Sequence, residues 1–178
     1  RLSESQNPDI EWNSAEIRTG AAHFINPPAR FGITSPFDYE NQARVFIVND
    51  LNNRNIDQLS AAYRELFIAS NGGALGLFTA IGRLRQVYEK LLTPLEDEHI
   101  PLFAQHVDPI NVGTLIDIFR TVENSCLLGT DAVRDGVDVP GNSLRLCVFD
   151  KVPWPRPTIL HKARREHFGK GTYDDLIT

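Results

Sequence analysis

Short apolar runs alternate with amphipathic stretches along most of this chain, and that alternation restricts its fold more than any other feature. Apolar runs typical of buried strands occur at 43–48, 74–80, 100–107, 125–129 and 144–150. Apolar residues at steps of three and four predict helices over 56–67, 84–92 and 114–122. Buried strands that alternate with helices are typical of a parallel sheet with helices on both faces. The sequence therefore predicts a three-layer α/β domain.

The amino-terminal segment differs in composition from the rest of the chain. Residues 1–34 mix Ser, Asn, Pro and Glu without sustained periodicity and contain Pro27-Pro28, which predicts an irregular connector. Residues 35–178 are expected to form a single domain, because 178 residues with 42% hydrophobic composition suit one ordinary core. Methionine is absent, including an initiator, which indicates part of a longer protein.

Cysteine usage and hydropathy restrict the setting of the protein. Cys126 and Cys147 each lie among apolar residues in predicted strands, which favours two buried thiols over a disulfide. The sequence has no Cys/His cluster of the kind that ligates zinc or an iron–sulfur centre. No apolar run approaches the roughly 20 residues that cross a bilayer. A reducing, cytoplasmic setting is therefore expected.

A polar, glycine-rich segment follows the fourth apolar run, at the end of a strand where parallel α/β sheets bind ligands. It reads Gly129-Thr-Asp-Ala-Val-Arg-Asp-Gly-Val-Asp-Val-Pro-Gly141. Its Asp and Gly residues can simply form turns. Alternatively, a threonine hydroxyl can hold a nucleic-acid phosphate, and a carboxylate can accept hydrogen bonds from ribose hydroxyls. The residue types alone leave both interpretations open.

The spacing of this segment resembles motif V of superfamily 2 helicases in its DEAD-box form, T-D-x-x-x-x-G-x-D-x-P. The matching positions are Thr130, Asp131, Gly136, Asp138 and Pro140. Residues 72–80 resemble motif IV, and Gln105-His106 stands where the family has a short polar turn. Ser35-Pro-Phe-Asp-Tyr39 and the segment 148–155 resemble the DinG/XPD branch. Because several motifs agree in order and spacing, the resemblance covers roughly residues 35–178.

This resemblance implies a RecA-like domain with a mainly parallel central sheet and no P-loop of its own. The implied function is that of the second motor domain of an ATP-dependent DNA helicase with 5′-to-3′ polarity. Three residues would contact single-stranded DNA, namely Thr79, Thr130 and Asp131. Three others would contact the nucleotide, namely Arg134, Gly136 and Asp138.

The resemblance also implies a cofactor and partners. ATP with Mg would bind between this domain and the N-terminal RecA-like domain of the same full-length chain, and the protein would be monomeric. Gly169-Lys-Gly-Thr172 lacks the pattern of a Walker A loop. The family's Q-x-x-G-R-x-x-R motif VI, which supplies arginine fingers, is expected beyond Thr178. Residues 35–178 alone would therefore not hydrolyse ATP.

Several features also fit a purely structural role. Residues 134–170 hold eight Lys/Arg against four Asp/Glu although the net charge of the chain is −5, which suits either a nucleic-acid-binding face or a solvated helix. Trp154 could stack on a base, but loop packing is the favoured interpretation. His106 beside Asp108 indicates a structural hydrogen bond rather than a general base. The competing hypothesis is a non-catalytic RecA- or Rossmann-like module for interaction or regulation.

Overall fold

The computed structural model describes residues 8–134, 137–152 and 158–169, and the chain divides into two compact units. One unit comprises residues 1–47 and 155–178, and the other comprises residues 48–154. The second unit contains every strand found in the described residues. Over the same ranges, no helix combines the length and the apolar character needed to cross a membrane.

The described residues of the two units contain α-helices, β-strands and short 3-10 turns. The helices in chain order are α1 (Pro8–Thr19), α2 (Tyr39–Gln42), α3 (Ile56–Ala69), α4 (Ile81–Asp97), α5 (Val112–Thr121) and α6 (Ile159–Phe168). The strands are β1 (Ala74–Leu77), β2 (Leu102–Ala104), β3 (Cys126–Gly129) and β4 (Leu146–Phe149). Short 3-10 turns occur at Ala21–His23, Asp131–Val133 and Gly141–Ser143.

In the first unit, the segment predicted to be irregular contains helix α1. Arg30, which follows the helix, contacts two of its acidic side chains. Arg30 Nε donates to Glu16 Oε1 at 2.7 Å, and Arg30 Nη1 lies 3.5 Å from Asp9 Oδ1. No residue of α1 is buried. Part of the predicted connector is thus ordered by local hydrogen bonds and ion pairs rather than by an apolar core.

The buried strand predicted over 43–48 is not formed. This run is extended and exposed, with exposed fractions of 89% for Val45, 82% for Phe46 and 87% for Ile47. An apolar run becomes a strand only where a neighbouring strand pairs with its backbone. Over the described residues, the four-stranded sheet does not include this segment. The prediction was wrong because composition does not supply that neighbour.

The sheet has the strand order β2-β3-β1-β4, and every neighbouring pair is parallel. The central strands β1 and β3 are buried along their whole length, as expected for strands covered on both faces. The edge strand β4 alternates between half-buried and exposed residues. The predicted parallel sheet is confirmed, with four strands in the described part of the chain where five were expected.

Helices cover both faces of the sheet. On one face, α3 and α4 contribute Tyr63, Phe67 and Leu91 to a core that also contains Cys126 of β3. On the other face, α5 packs through Leu115 and Phe119 against side chains of β1 and β3. The arrangement is a three-layer α/β domain, which confirms the predicted RecA-like fold class.

The two cysteines lie in different environments, and both are free. Cys126 of the central strand β3 is buried, and burial raises the pKa of its thiol to about 12. Cys147 is exposed because it lies on β4, at the edge of the sheet, on the face where that strand's side chains are uncovered. The prediction of two buried thiols is confirmed for Cys126 and wrong for Cys147.

Candidate functional site

A small depression lies at the carboxyl edge of the sheet, where β1, β3 and β4 end. Its lining residues are Leu77, Phe78, Thr79, Thr130, Asp131, Arg134, Phe149 and Lys151. Four of the six predicted site residues therefore come together in one place. Asp138 is not part of this lining, and Gly136 lies outside the described residues.

The turn that carries most of these residues depends on the absence of a side chain at Gly129. A Cβ atom at this position would lie 1.8 Å from Val133 Cγ2. Val133 is completely buried and packs with the core on the α5 face of the sheet. The chain therefore turns back tightly at the end of β3, and this turn holds Thr130, Asp131 and Arg134 at the carboxyl edge.

Thr130 is held in place by Gln105, which follows β2 and is only 4% exposed. The Thr130 backbone N–H and the Thr130 hydroxyl both donate to Gln105 Oε1, each at 2.9 Å. The backbone N–H can only donate, so the amide oxygen of Gln105 must face Thr130. Both donors of Thr130 are therefore engaged within the protein, and its hydroxyl oxygen keeps lone pairs that can accept.

His106 lies beside this contact, with its Nε2 3.4 Å from Thr130 Oγ1. It occupies the left-handed backbone region at φ 68°, and its carbonyl accepts from Nε and Nη2 of Arg85 at 3.3 and 3.0 Å. Asp108 Oδ2 accepts from the backbone N–H of Ala104 at 2.7 Å. This carboxylate thus caps the turn after β2, and the structure gives no support to a general base at His106.

Asp131 and Arg134 form an ion pair one turn apart, with 3.2 Å between Arg134 Nη1 and Asp131 Oδ1. Their side chains are 50% and 33% exposed, so both reach solvent. Arg134 was predicted for the nucleotide and Asp131 for DNA, yet both line the same depression. The pairing neutralises the one carboxylate that a bound phosphate would otherwise meet there.

Thr79 lies at the end of β1 and is exposed. Its hydroxyl makes no hydrogen bond within the described part of the chain. Helix α4 begins directly afterwards, and its N-cap residue Ala80 gives no side-chain hydrogen bond. By contrast, α3 and α5 are capped by Asn55 and Asn111. The uncapped first turn of α4 leaves backbone N–H groups that favour an anion.

Asp138 is exposed, and no hydrogen bond or ion pair to its carboxylate occurs among the described residues. Its backbone carbonyl accepts from Arg120 Nε at 3.0 Å and Arg120 Nη2 at 2.8 Å, and the next residue, Val139, is buried in the core. The backbone is thus anchored while the side chain stays available. A carboxylate in this state can accept hydrogen bonds from a ligand hydroxyl.

The residues that build this site fall within a recognised family. Residues 63–175 match the family described as helicase C-terminal domain. The chain belongs to that family. The predicted resemblance is thereby confirmed, and both elements of the carboxyl edge that contain Thr79 and Thr130 lie inside the matched range.

Proteins similar to this helicase C-terminal domain carry related names. Escherichia coli strain K12 has ATP-dependent DNA helicase YoaA, which is 32% identical over 139 residues, 75% of this chain and 21% of that protein. Bacillus subtilis strain 168 has 3′-5′ exonuclease DinG, 31% identical over 157 residues, 84% of this chain and 17% of that protein. ATP-dependent helicase DinG of Mycobacterium tuberculosis strain H37Rv is 31% identical over 130 residues, 70% of this chain and 19% of that protein. The chain thus spans about a fifth of the length of these relatives. No solved structure shows a significant match.

Some features of this helicase C-terminal domain do not follow from the motifs. The hydrogen bond from Thr130 to Gln105 joins residues that are 25 positions apart in the sequence. Phe149 and Lys151 line the depression, although the resemblance of the segment 148–155 assigned neither of them a role. Their position at the end of a predicted strand could have identified them, because residues directly after a parallel strand lie at the ligand-binding edge. Lys162, Arg164 and Arg165 lie on α6 in the other unit and do not line the depression, and Trp154 lies outside the described residues.

Proposed function

We propose that this chain supplies the second RecA-like motor domain of an ATP-dependent DNA helicase of the DinG type with 5′-to-3′ polarity. The observation that carries the proposal is the convergence of Thr79 and Thr130, from the ends of two adjacent strands, in one depression beside the uncapped start of α4. The names of the relatives from Escherichia coli and Mycobacterium tuberculosis support it. The proposed domain spans residues 35–178, and residues 1–34 form a connector.

Thr79 and the first turn of α4 are proposed to bind one backbone phosphate of single-stranded DNA. Phosphate oxygens accept hydrogen bonds, so the site must supply donors. The Thr79 hydroxyl and the first N–H groups of α4 are donors without a partner in the described residues. Contacts of this kind fix the position of a strand without reading its sequence.

Thr130 is proposed to bind a second phosphate by exchanging one hydrogen bond for another. Its hydroxyl proton points to Gln105 Oε1, which also accepts the Thr130 N–H. If the hydroxyl rotates to a phosphate, Gln105 Oε1 still keeps one donor. A neutral hydrogen bond contributes about 0.5–1.5 kcal/mol, and one to a charged group about 1.5–3 kcal/mol. The exchange therefore favours the bound phosphate.

Asp131 is proposed to face the strand without touching its phosphates. An ionised carboxylate and a phosphodiester both only accept hydrogen bonds, so no direct bond can form between them. The Asp131 carboxylate can accept from an N–H group of a base, and it also orients Arg134 through their ion pair. Its role in the strand-binding group is thus that of an acceptor and a support.

The nucleotide side of the proposal involves Arg134, Gly136 and Asp138. ATP with Mg would lie between this domain and the N-terminal RecA-like domain of the full-length protein. The full-length protein would be a cytoplasmic monomer. The exposed Asp138 carboxylate fits a ribose hydroxyl as an acceptor. The described residues contain no group of three or more His, Cys, Asp or Glu that could hold a metal ion. The metal is proposed to be held by ATP and the partner domain.

Binding of single-stranded oligonucleotides by the full-length protein tests the phosphate contacts. Thr79→Val removes a hydroxyl and keeps the shape of the side chain, so affinity should fall roughly tenfold with loss of one charged hydrogen bond. Thr114→Val, on the exposed surface of α5, is the matched control and should bind like the wild type. Equal affinity of the two variants would remove Thr79 from the site.

ATP turnover and coupling test the motor assignment. The wild-type full-length protein should hydrolyse ATP faster with single-stranded DNA, whereas residues 35–178 alone should not hydrolyse it. Asp138→Ala should reduce the change in DNA affinity caused by a non-hydrolysable ATP analogue, because the ribose contact is lost. Coupling free energies of about 1–3 kcal/mol correspond to roughly 5–150-fold changes in affinity. A wild type that neither hydrolyses ATP nor binds DNA would favour the non-catalytic module instead.

A further inference from the structure

The exit of β4 carries an exposed aromatic ring at the carboxyl edge. Leu146 and Val148 of this strand pack against the α3 and α4 side of the core. Cys147 and Phe149 alternate with them and are exposed, and the Phe149 side chain is 48% exposed. Phe149 also lines the depression. The aromatic ring of Phe149 therefore lies at the surface, next to the polar residues of the depression, and not in the core.

Asp150, the next residue, fixes the backbone at this point. Its carboxylate is completely buried and accepts from Arg83 Nε at 2.9 Å and Arg83 Nη2 at 2.6 Å. The Asp150 backbone N–H donates to the carbonyl of Leu77 in the adjacent strand at 2.9 Å. Phe149 and Lys151 thus flank an anchored residue. A segment whose backbone is already fixed loses less backbone entropy when it binds a ligand.

Lys151 brings a positive charge to the same depression. It is exposed, and among the described residues it has no acidic partner. The charged lining consists of Lys151, Arg134 and Asp131, which is two cations against one anion. The depression therefore has a net positive charge next to an exposed aromatic face, a combination that suits single-stranded nucleic acid.

We propose that Phe149 and Lys151 form a further contact with single-stranded DNA, in which Lys151 binds a backbone phosphate and Phe149 stacks on a base. This inference rests on the proposed function and extends it to two residues outside motifs IV and V, to which the resemblance assigned no contact. Every base has a stackable face, so the contact tolerates any sequence. Together with the donors of Thr79 and Thr130, it would guide one strand across the ends of three parallel strands.

The salt dependence of DNA binding tests Lys151. Affinity of the full-length protein for oligothymidylate is measured by fluorescence anisotropy over a range of salt concentrations. Removal of one phosphate contact should reduce the slope of log K against log salt by about 0.7 for a single strand. Lys151→Gln should show this reduction, and Lys151→Arg should not. The matched control is Lys90→Gln, on α4, where Lys90 pairs with Asp57 at 2.8 Å, and its slope should equal that of the wild type.

An abasic oligonucleotide tests Phe149. Phe149→Leu keeps an apolar side chain but removes the ring, so affinity for oligothymidylate should fall roughly 5–150-fold. On an oligonucleotide of abasic sites, Phe149→Leu should bind like the wild type, since no base is present to stack. Phe149→Tyr should retain affinity for both. Because both side chains are exposed, every variant should melt like the wild type, and this is checked by circular dichroism.

The possible outcomes separate this inference from the proposed function. A wild type that binds oligothymidylate, together with unchanged Lys151→Gln and Phe149→Leu variants, overturns the inference alone. The same holds if Lys151→Gln weakens only a non-hydrolysable ATP analogue, because the cation then serves the nucleotide. A wild type without affinity for single-stranded DNA overturns the proposed function, and the inference fails with it.

Discussion

The two edges of the parallel sheet use their polar side chains in opposite ways. At the amino edge, Arg145 Nη2 donates to the carbonyls of Ser70 and Asn71 at 3.0 and 2.8 Å and to Asn124 Oδ1 at 2.9 Å. Arg145 Nη1 donates to the carbonyl of Asn142. One guanidinium thus ties together the segments that lead into β1, β3 and β4.

At the carboxyl edge, polar groups are left without such partners. Thr79 and Lys151 have no side-chain partner within the described ranges, and α4 has no side-chain cap. Among the closed contacts of this edge, the Arg83–Asp150 pair has a fully buried carboxylate, and Gln105 engages Thr130. The amino edge thus uses its polar groups within the fold, whereas the carboxyl edge leaves donors that the proposed function assigns to a ligand. This difference predicts that substitutions at the two edges change different measurements.

The largest effect is expected from Arg83→Met, which breaks the closed pair of the carboxyl edge. The Asp150 carboxylate would remain completely buried without its cation, and loss of one partner of a buried pair costs about 3–5 kcal/mol of unfolding free energy. Urea unfolding of the 178-residue chain measures this loss. The double variant Arg83→Met/Asp150→Leu should recover most of it, because no buried charge remains. Similar stability of the two variants would show that the pair is not desolvated.

Gly129→Ala is expected to lower the unfolding free energy by roughly 1–3 kcal/mol, because its Cβ would meet Val133 Cγ2 and displace the turn that holds Thr130. Affinity for single-stranded DNA should fall as well. Gly32→Ala is the control, since a Cβ there meets nothing within 4 Å, and its stability should stay within about 0.5 kcal/mol of the wild type with unchanged DNA affinity. Wild-type stability of Gly129→Ala would mean that the turn adapts freely.

Arg145→Ala sharpens the comparison at the amino edge. Its guanidinium is exposed, so loss of its hydrogen bonds should cost only about 1–2 kcal/mol of stability. Affinity of the full-length protein for single-stranded DNA should not change, because the proposed DNA contacts lie at the opposite edge of the sheet. Arg64→Ala, which loses only an exposed pair with Glu65, should change stability by less than about 1 kcal/mol. Weaker DNA binding by Arg145→Ala would contradict the division between the edges.

Sequence patterns predicted the core of the fold because its signals are local. Each of the four strands found lies within an apolar run, and α3, α4 and α5 follow the helical spacing of their apolar residues. The run at 43–48 has the same local signal, but no strand of the sheet pairs with it. Helix α1 has no buried residue, so an apolar pattern could not reveal it. Strand pairing and ion pairs depend on tertiary structure, which a local sequence pattern does not specify.

The part of the candidate site that lies in one loop could be predicted from the spacing of its residues. Motif spacing placed Thr130, Asp131 and Arg134 together, and the structure brings Thr79 to them. Spacing could not show that Gln105 engages both donors of Thr130, because that contact links the ends of two different strands. It also assigned Arg134 to a ligand different from that of its neighbours, although all of them share one depression.

The smallest expected effect concerns Thr130, whose hydroxyl serves both the protein and the proposed phosphate. Thr130→Val keeps the backbone hydrogen bond to Gln105 and the branched shape but removes the hydroxyl. The net loss is the difference between a charged and a neutral hydrogen bond, about 1 kcal/mol, so DNA affinity should fall roughly fivefold. The loss should be equal for all sequences, since a phosphate carries no base information.

Thr130→Ser keeps the hydroxyl and is the matched control for this variant. It should bind DNA within about twofold of the wild type, because a serine hydroxyl can make the same exchange between Gln105 and a phosphate. If Thr130 served only to hold Gln105, then Thr130→Val would lower the melting temperature and leave the affinity of the folded protein unchanged. A fall in affinity confined to particular sequences would point to base contact. Equal affinities of Val and Ser variants would place the hydroxyl, like Arg145, among the groups that only stabilise the fold.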